Sequence, residues 1–334
     1  MHMADALLSP AVGGTMWAVT AGTIAYCSGK VRQELDDRKV PLMGVLAAFI
    51  FAAQMINFTI PATGSSGHLG GGLLLAILLG PYAAFLAIAS VLVVQALFFA
   101  DGGLLALGCN IFNLGVFPCF VAYPLIFRPI AGKQPTRWTL TLASVVAAVI
   151  GLQLGAFAVV LETVASGISA LPFKAFVLLM QPIHMGIGLV EGLVTATVVA
   201  FVWQARPEIL RSAAEARPLG SVPIKSLLVA FACVTLLTGG IVVWFASENP
   251  DGLEWAIAGV TGSETLPEAE HGVHGLLASI QEKLAFLPDY SFPAKGEDTG
   301  GGKIGTSVSG LVGGIVTLFV CAVIGFILKQ RGRK

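Results

Sequence analysis

Leu69–Phe99 reads LGGGLLLAILLGPYAAFLAIASVLVVQALFF, and how often this stretch crosses a membrane decides the topology of the whole chain. A transmembrane helix needs about 20 largely apolar residues. The run is too long for one such span and short for two. Gly80-Pro81 breaks it, so the sequence predicts a short or re-entrant helix over 69–79 and a full span over 81–99. Irregular backbone at membrane depth is tolerated only where it is buried in protein or lines a cavity.

The rest of the chain supports a membrane setting. Its residues are 56% hydrophobic and 11% charged, against about 25% charge in a soluble domain. Further spans are predicted over 11–28, 41–57, 105–127, 138–161, 175–204, 225–247 and 306–328. The expected fold is all-α: a polytopic membrane bundle of about seven helices (residues 1–205), then a segment (220–334) with two further transmembrane helices flanking an external loop, 248–304. MHMADALLSP lacks a basic n-region and is followed by no clean small-x-small site, so the first apolar run is expected to be retained.

Basic residues orient the bundle. With the N-terminus outside, Lys30, Arg32, Arg38, Lys39, Arg128, Lys133, Arg137, Arg206, Arg211, Arg217, Lys225, Lys329, Arg331, Arg333 and Lys334 face the cytoplasm. Only Lys174, Lys283, Lys295 and Lys303 fall outside. That assignment needs two crossings in Leu69–Phe99.

Several function classes lose support. Net charge is zero, so a nucleic-acid partner is not expected. The five cysteines are scattered, without C-x-x-C, and read as packing residues. No phosphate-cradling G-x-x-x-x-G-K-[ST] occurs; Gly302-Lys303-Ile304 fails at its last position. No Ser–His–Asp or HExxH arrangement is visible, so the chain is not expected to be an enzyme. Any ATP hydrolysis must sit on another subunit.

The chemistry on offer is metal ligation. A free Met1 amine, the His2 amide nitrogen and the His2 imidazole can close two chelate rings round one small cation. The amide proton must leave, which a bound divalent metal can drive. His68, in GSSGHLGGG, can supply a fourth nitrogen. Four nitrogens in a plane suit Ni(II) or Cu(II). From these residues alone, a solvated or core histidine is the commoner case. Asn110 and Asn113 share a helix face and can orient His68 or hold loop backbone, or simply bond between helices. His184 and Glu191 lie two turns apart on one face, as a pair supporting the site or as a structural pair. Asp101-Gly-Gly reads as a turn with a helix-capping acid. His271-Gly-Val-His274, with Glu268 and Glu270, is a weaker metal-collecting pattern for which a solvated loop is the simpler reading.

MHMADALLSP, GSSGHLGGGLLLAILLGPYAA, QALFFADGGLLALGCNIFNLGV and HMGIGLVEGLVTA carry a resemblance. From Met1 to about residue 205 the chain resembles the CbiM/NikM family, the substrate-binding (S) components of cobalt and nickel energy-coupling factor (ECF) ABC transporters. Its start departs from the family's more usual Met-His-Ile followed by acid-Gly-Phe, although Met1-His2 is kept. Asn249-Pro-Asp-Gly-Leu-Glu-Trp255 looks like the hallmark of a PDGLE/NikN-like accessory segment. The resemblance implies a metal held by the Met1 amine, the His2 amide and imidazole, and His68. It implies Ni2+ or Co2+ as cargo, a transmembrane coupling (T) subunit and two ATPase subunits as partners, and a prokaryotic plasma (inner) membrane. The square nitrogen set favours nickel; more oxygen ligands or waters would suit cobalt, for cobalamin synthesis, better. An organic-solute S component would want an aromatic-lined pocket, which the Gly/Asn/His segments do not offer.

Overall fold

A computed structural model describes residues 2–267, 271–292 and 302–332. Met1, Glu268, Glu270, Lys295, Arg333 and Lys334 lie outside the described residues. The chain is an all-α membrane bundle. Helix α1 (Pro10–Val31) starts at Ser9, whose hydroxyl accepts the Val12 N–H, with Pro10 in the first turn where no amide donor is needed. α2 (Lys39–Gln54) follows, then a small antiparallel hairpin of β1 (Phe58–Ile60) and β2 (Ser65–Gly67). Next come α3 (Gly72–Leu79), α4 (Pro81–Phe99) and a helical run α5 (Leu107–Ala131). In α5 the turns widen over Phe112–Phe127, a stretch that contains Pro118 and Pro124. The long helices α6 (Arg137–Ser166) and α7 (Phe173–Ala205) pack along one another and lead to the short α8 (Pro207–Ala214).

Among the described residues, α4, α5, α6, α7 and the last helix, Gly302–Gly332, are long and apolar enough to cross a membrane. α2 is apolar but shorter, and α1 has the length while its glycines and threonines dilute its apolar character. The break at Gly80-Pro81 falls between α3 and α4, with Gly80 at φ 85°. All eight residues of α3 are buried. At 1.5 Å per residue, α3 covers only ~12 Å, less than half a bilayer core. The stretch before it, Ser65–Gly71, is largely non-helical and almost wholly buried. Irregular backbone therefore sits inside protein, where its polar groups can be satisfied.

The second half is α9 (Lys225–Gly240), α10 (Gly252–Thr261), α11 (Gly272–Leu284) and α12 (Gly302–Gly332). The span expected over 225–247 ends earlier: α9 stops at Gly240 and a single tight turn covers Val242–Phe245. α9 and α12 pack on α2 and on each other, and Lys329 of α12 pairs with Asp37. The region expected to be a polar loop instead carries α10, against α7 and β2, and α11, against α4. Hydrogen bonds tie it down. Ser247 N–H donates to Asn57 O (2.7 Å), Trp255 Nε1–H to Thr63 O (2.9 Å), and His274 Nε2 lies 2.8 Å from Leu8 O. The C-terminal segment thus lies over the same end of the bundle as the N-terminus and the β1–β2 hairpin.

Candidate metal centre

Two clamps bring His2 and His68 together. The first holds the N-terminal strand. Met3 is fully buried. Its N–H donates to Asn110 Oδ1 (2.8 Å), and its carbonyl accepts from Gly103 N–H (2.9 Å) and Asn110 Nδ2 (3.3 Å). Asp5 accepts the Ala106 N–H (2.9 Å). Asn110, on α5, therefore grips backbone one residue from His2.

The second clamp holds the glycine loop after His68. Glu191 of α7 accepts Gly70 N–H (2.7 Å) on one carboxylate oxygen and Gly71 N–H (3.1 Å) on the other. Gln54 Nε2 donates to Gly70 O (2.8 Å), and Gln95 steadies Gln54 through a 2.9 Å bond. Glycine is needed here on two counts: Gly71 has φ 77°, and a Cβ on Gly72 would lie 2.4 Å from Leu114 O. Glu191→Gln keeps the shape but offers one acceptor oxygen in place of two, so its amide N–H faces one glycine N–H and leaves that buried donor unpaired, at a cost of about 1–3 kcal/mol. We expect metal affinity to fall about tenfold or more while the bundle stays folded; calorimetric titration beside a melting curve checks this.

With both clamps set, the His2 and His68 rings stack with centroids 4.9 Å apart and planes 14° apart. The His68 Nδ1 lies 3.0 Å from Leu69 O. A carbonyl can only accept, so Nδ1 carries the proton and the lone pair is on Nε2. The His2 Nδ1 stands 3.2 Å from Asp101 Oδ1, and its Nε2 is buried without a hydrogen-bond partner among the described residues. Burial pushes the pKa of each imidazole down to about 3. Both rings are neutral at physiological pH, the form that binds metal.

Other predicted residues fall elsewhere. Asn113 donates to Glu162 Oε2 (2.7 Å) between α5 and α6 and lines a small cavity with Gly70 and Glu191. His184 and Glu191 are not bonded to each other: Glu191 serves the glycine loop, and His184 Nδ1 donates to Met180 O (2.8 Å). His184 is fully buried and shares a small cavity with His68 and Asp251. The HxxH pair is split, with His274 buried against Leu8 O and His271 exposed. Asp101 is not the helix-capping acid the sequence predicts. Its carboxylate faces His2 and accepts the Tyr290 hydroxyl (2.5 Å). Asp101, Asp251, Gln54 and Tyr290 all gather at the mouth, and no spacing in the sequence links them. Among the described residues, no three His, Cys, Asp or Glu side chains could hold a metal together.

These features define a polytopic all-α membrane protein with a buried, imidazole-lined mouth. The profile of the cobalt uptake substrate-specific transmembrane region, CbiM, matches residues 2–209, and a PDGLE domain profile matches 225–330. The chain belongs to the CbiM family, with a C-terminal PDGLE segment. It is 33% identical, over 100% of its own length and 99% of the relative's, to a putative fused nickel transport protein NikMN of Archaeoglobus fulgidus. It is 30% identical to the fused nickel transport protein NikMN of Rhodobacter capsulatus, over 87% of this chain and 88% of that one. It is 31% identical to the cobalt transport protein CbiM of Sorangium cellulosum, over 63% of this chain and 94% of that one. A crystal structure described as a truncated transition metal transporter superposes with a TM-score of 0.55 at 30% identity, covering 61% of this chain and 99% of the other.

Proposed function

We propose that this chain is a transporter subunit, not an enzyme, that captures a divalent transition metal at its mouth for ATP-driven uptake by an ECF-type complex. The observation that carries the reading is the pairing of two neutral imidazoles, His2 and His68, by two independent backbone clamps. The chelate uses the Met1 amine, the His2 amide nitrogen, the His2 imidazole and His68 Nε2. The ring that starts at the His2 amide closes through Nδ1, the nearer ring nitrogen. That nitrogen now faces Asp101, so ligation exchanges the Asp101 contact for the ion. The cargo is Ni2+ in our reading, because four nitrogens in a plane suit its d-electron count. The family description and the CbiM relatives favour Co2+ as the second reading. Titration of the purified chain with Ni(II), then competition by Co(II), decides between them. Nickel should displace cobalt at equal concentration, and the reverse order would assign cobalt.

The coupling subunit and two ATPases supply the drive, since this sequence has no phosphate-cradling loop. The chain sits in lipid, in the plasma (inner) membrane of a prokaryote, with its N-terminus external, as its basic residues suggest. A cysteine replacing Glu282 on the exposed side of α11, in a protein lacking the native cysteines, should react with an impermeant thiol reagent on intact cells. Reaction only after the membrane is opened would reverse the orientation.

A further inference from the structure

Asp251 opens α10 in the C-terminal segment. Its Oδ1 accepts the Leu253 N–H (2.7 Å) and the Glu254 N–H (2.9 Å), while Glu254 Oε2 accepts the Asp251 N–H (2.9 Å). This reciprocal cap fixes the carboxylate. The residues just before it are anchored to β2. Ser66 N–H donates to Pro250 O (2.8 Å) and Ser66 Oγ–H to Asn249 O (2.8 Å), two positions ahead of His68. These bonds hold the start of α10 against β2, the strand that leads to His68. Asp251 lines the small cavity it shares with His68 and His184. It also lines the larger mouth cavity, about 530 Å³, together with His2, His68 and Asp101.

The proposed chelate carries net charge. A divalent ion bound to one deprotonated amide and three neutral nitrogens leaves one positive charge in a site whose imidazoles are 8–9% exposed. Burying that charge is unfavourable unless an anion sits nearby. Asp101 is close, but its Oδ2 already accepts the Tyr290 hydroxyl. Asp251 is held in place by the two amide donors of the first turn of α10 and lines both cavities.

We propose that Asp251 is the counter-charge of the metal centre, an affinity-determining residue that the C-terminal segment contributes to a site whose ligands lie in the first 68 residues. This rests on the metal-capture reading above. The partner it acts on is a divalent cation in the chelate, through space and not as a ligand. The segment matched by the PDGLE profile is then part of the binding site, as well as its cover.

The test separates charge from structure. Asn caps a helix about as well as Asp, so Asp251→Asn removes the charge and keeps the cap; Asp251→Ser is a second capping variant. The full chain is purified and titrated with Ni(II) alone. Asp251→Asn and Asp251→Ser should bind about tenfold more weakly. The metal-free melting temperature and the ligand-field spectrum of the nickel-loaded protein should not change. Higher ionic strength should narrow the gap to wild type. Wild-type affinity in both variants would overturn the proposal, and so would a changed nickel spectrum, which would make Asp251 a ligand. If the wild-type chain itself takes up no Ni(II), the failure lies with the metal-capture reading beneath it.

Discussion

A protein carrying even one residue ahead of Met1 is expected to show no high-affinity Ni(II) binding, while the same extension after Lys334 leaves binding intact. The reason is chelate geometry. The α-amine and the His2 amide share a five-membered ring with the ion, and the amide and His2 imidazole share a six-membered one. An added residue turns the amine into an amide, which is a far poorer donor, and places bulk where the ion must sit. The strand has no slack to absorb this, because Met3 is fully buried and held at both its N–H and its carbonyl. Titrating the two tagged proteins side by side with Ni(II) checks the point. Equal affinities would mean that the amine is not a ligand.

The second large effect is expected at His68. His68→Ala should bind no measurable Ni(II) at micromolar metal, whereas His184→Ala should still bind, about 10–100-fold more weakly. Both residues line the same small cavity, so proximity alone does not rank them. Their settings do. His68 lies on the glycine loop clamped by Glu191 and Gln54, its Nδ1 turned to Leu69 O and its ring stacked on His2. His184 is built into α7, with Nδ1 turned to Met180 O and a Gly252 Cβ position only 3.2 Å from its Cε1. That ring packs against the start of α10. Losing a ligating nitrogen opens the square; losing a packing imidazole leaves it closed but loose. A melting curve for each variant confirms that the bundle is intact. The opposite ranking would place the ligand on α7 and leave the glycine loop as a lid.

Much of the bundle was legible because membrane helices announce themselves locally. Gly80-Pro81 marks the boundary of α4 to the residue, since proline starts a helix readily and glycine takes the positive φ before it. The long apolar runs of α4 to α7 and α12 need only length and composition to be seen. What escaped detection depends on partners far away in sequence. The three-residue strands of the hairpin at Phe58–Gly67 are too short for a periodic signature, and Ser66 is anchored to Pro250, 184 residues on. The region after α9 looked like polar loop because α10 and α11 are short and bury only one face. Glu191 was expected to partner His184, which helical spacing alone suggests; the structure turns its carboxylate to Gly70 and Gly71 instead. Asp101 read as a turn acid because its partners, His2 and Tyr290, sit at opposite ends of the chain. The ligand chemistry of Met1-His2 and His68 was visible as a possibility. The structure stacks the His2 ring on His68.

Nickel-edge anomalous diffraction from crystals of the full, untagged chain grown with Ni(II) tests the central claim most directly. One strong peak should lie about 2 Å from the His2 amide nitrogen, His2 Nδ1 and His68 Nε2, a normal metal–nitrogen distance, with the Met1 amine as the fourth contact. A peak on His271 or His274, or on carboxylates of the mouth with His2 and His68 still stacked and unligated, would contradict it.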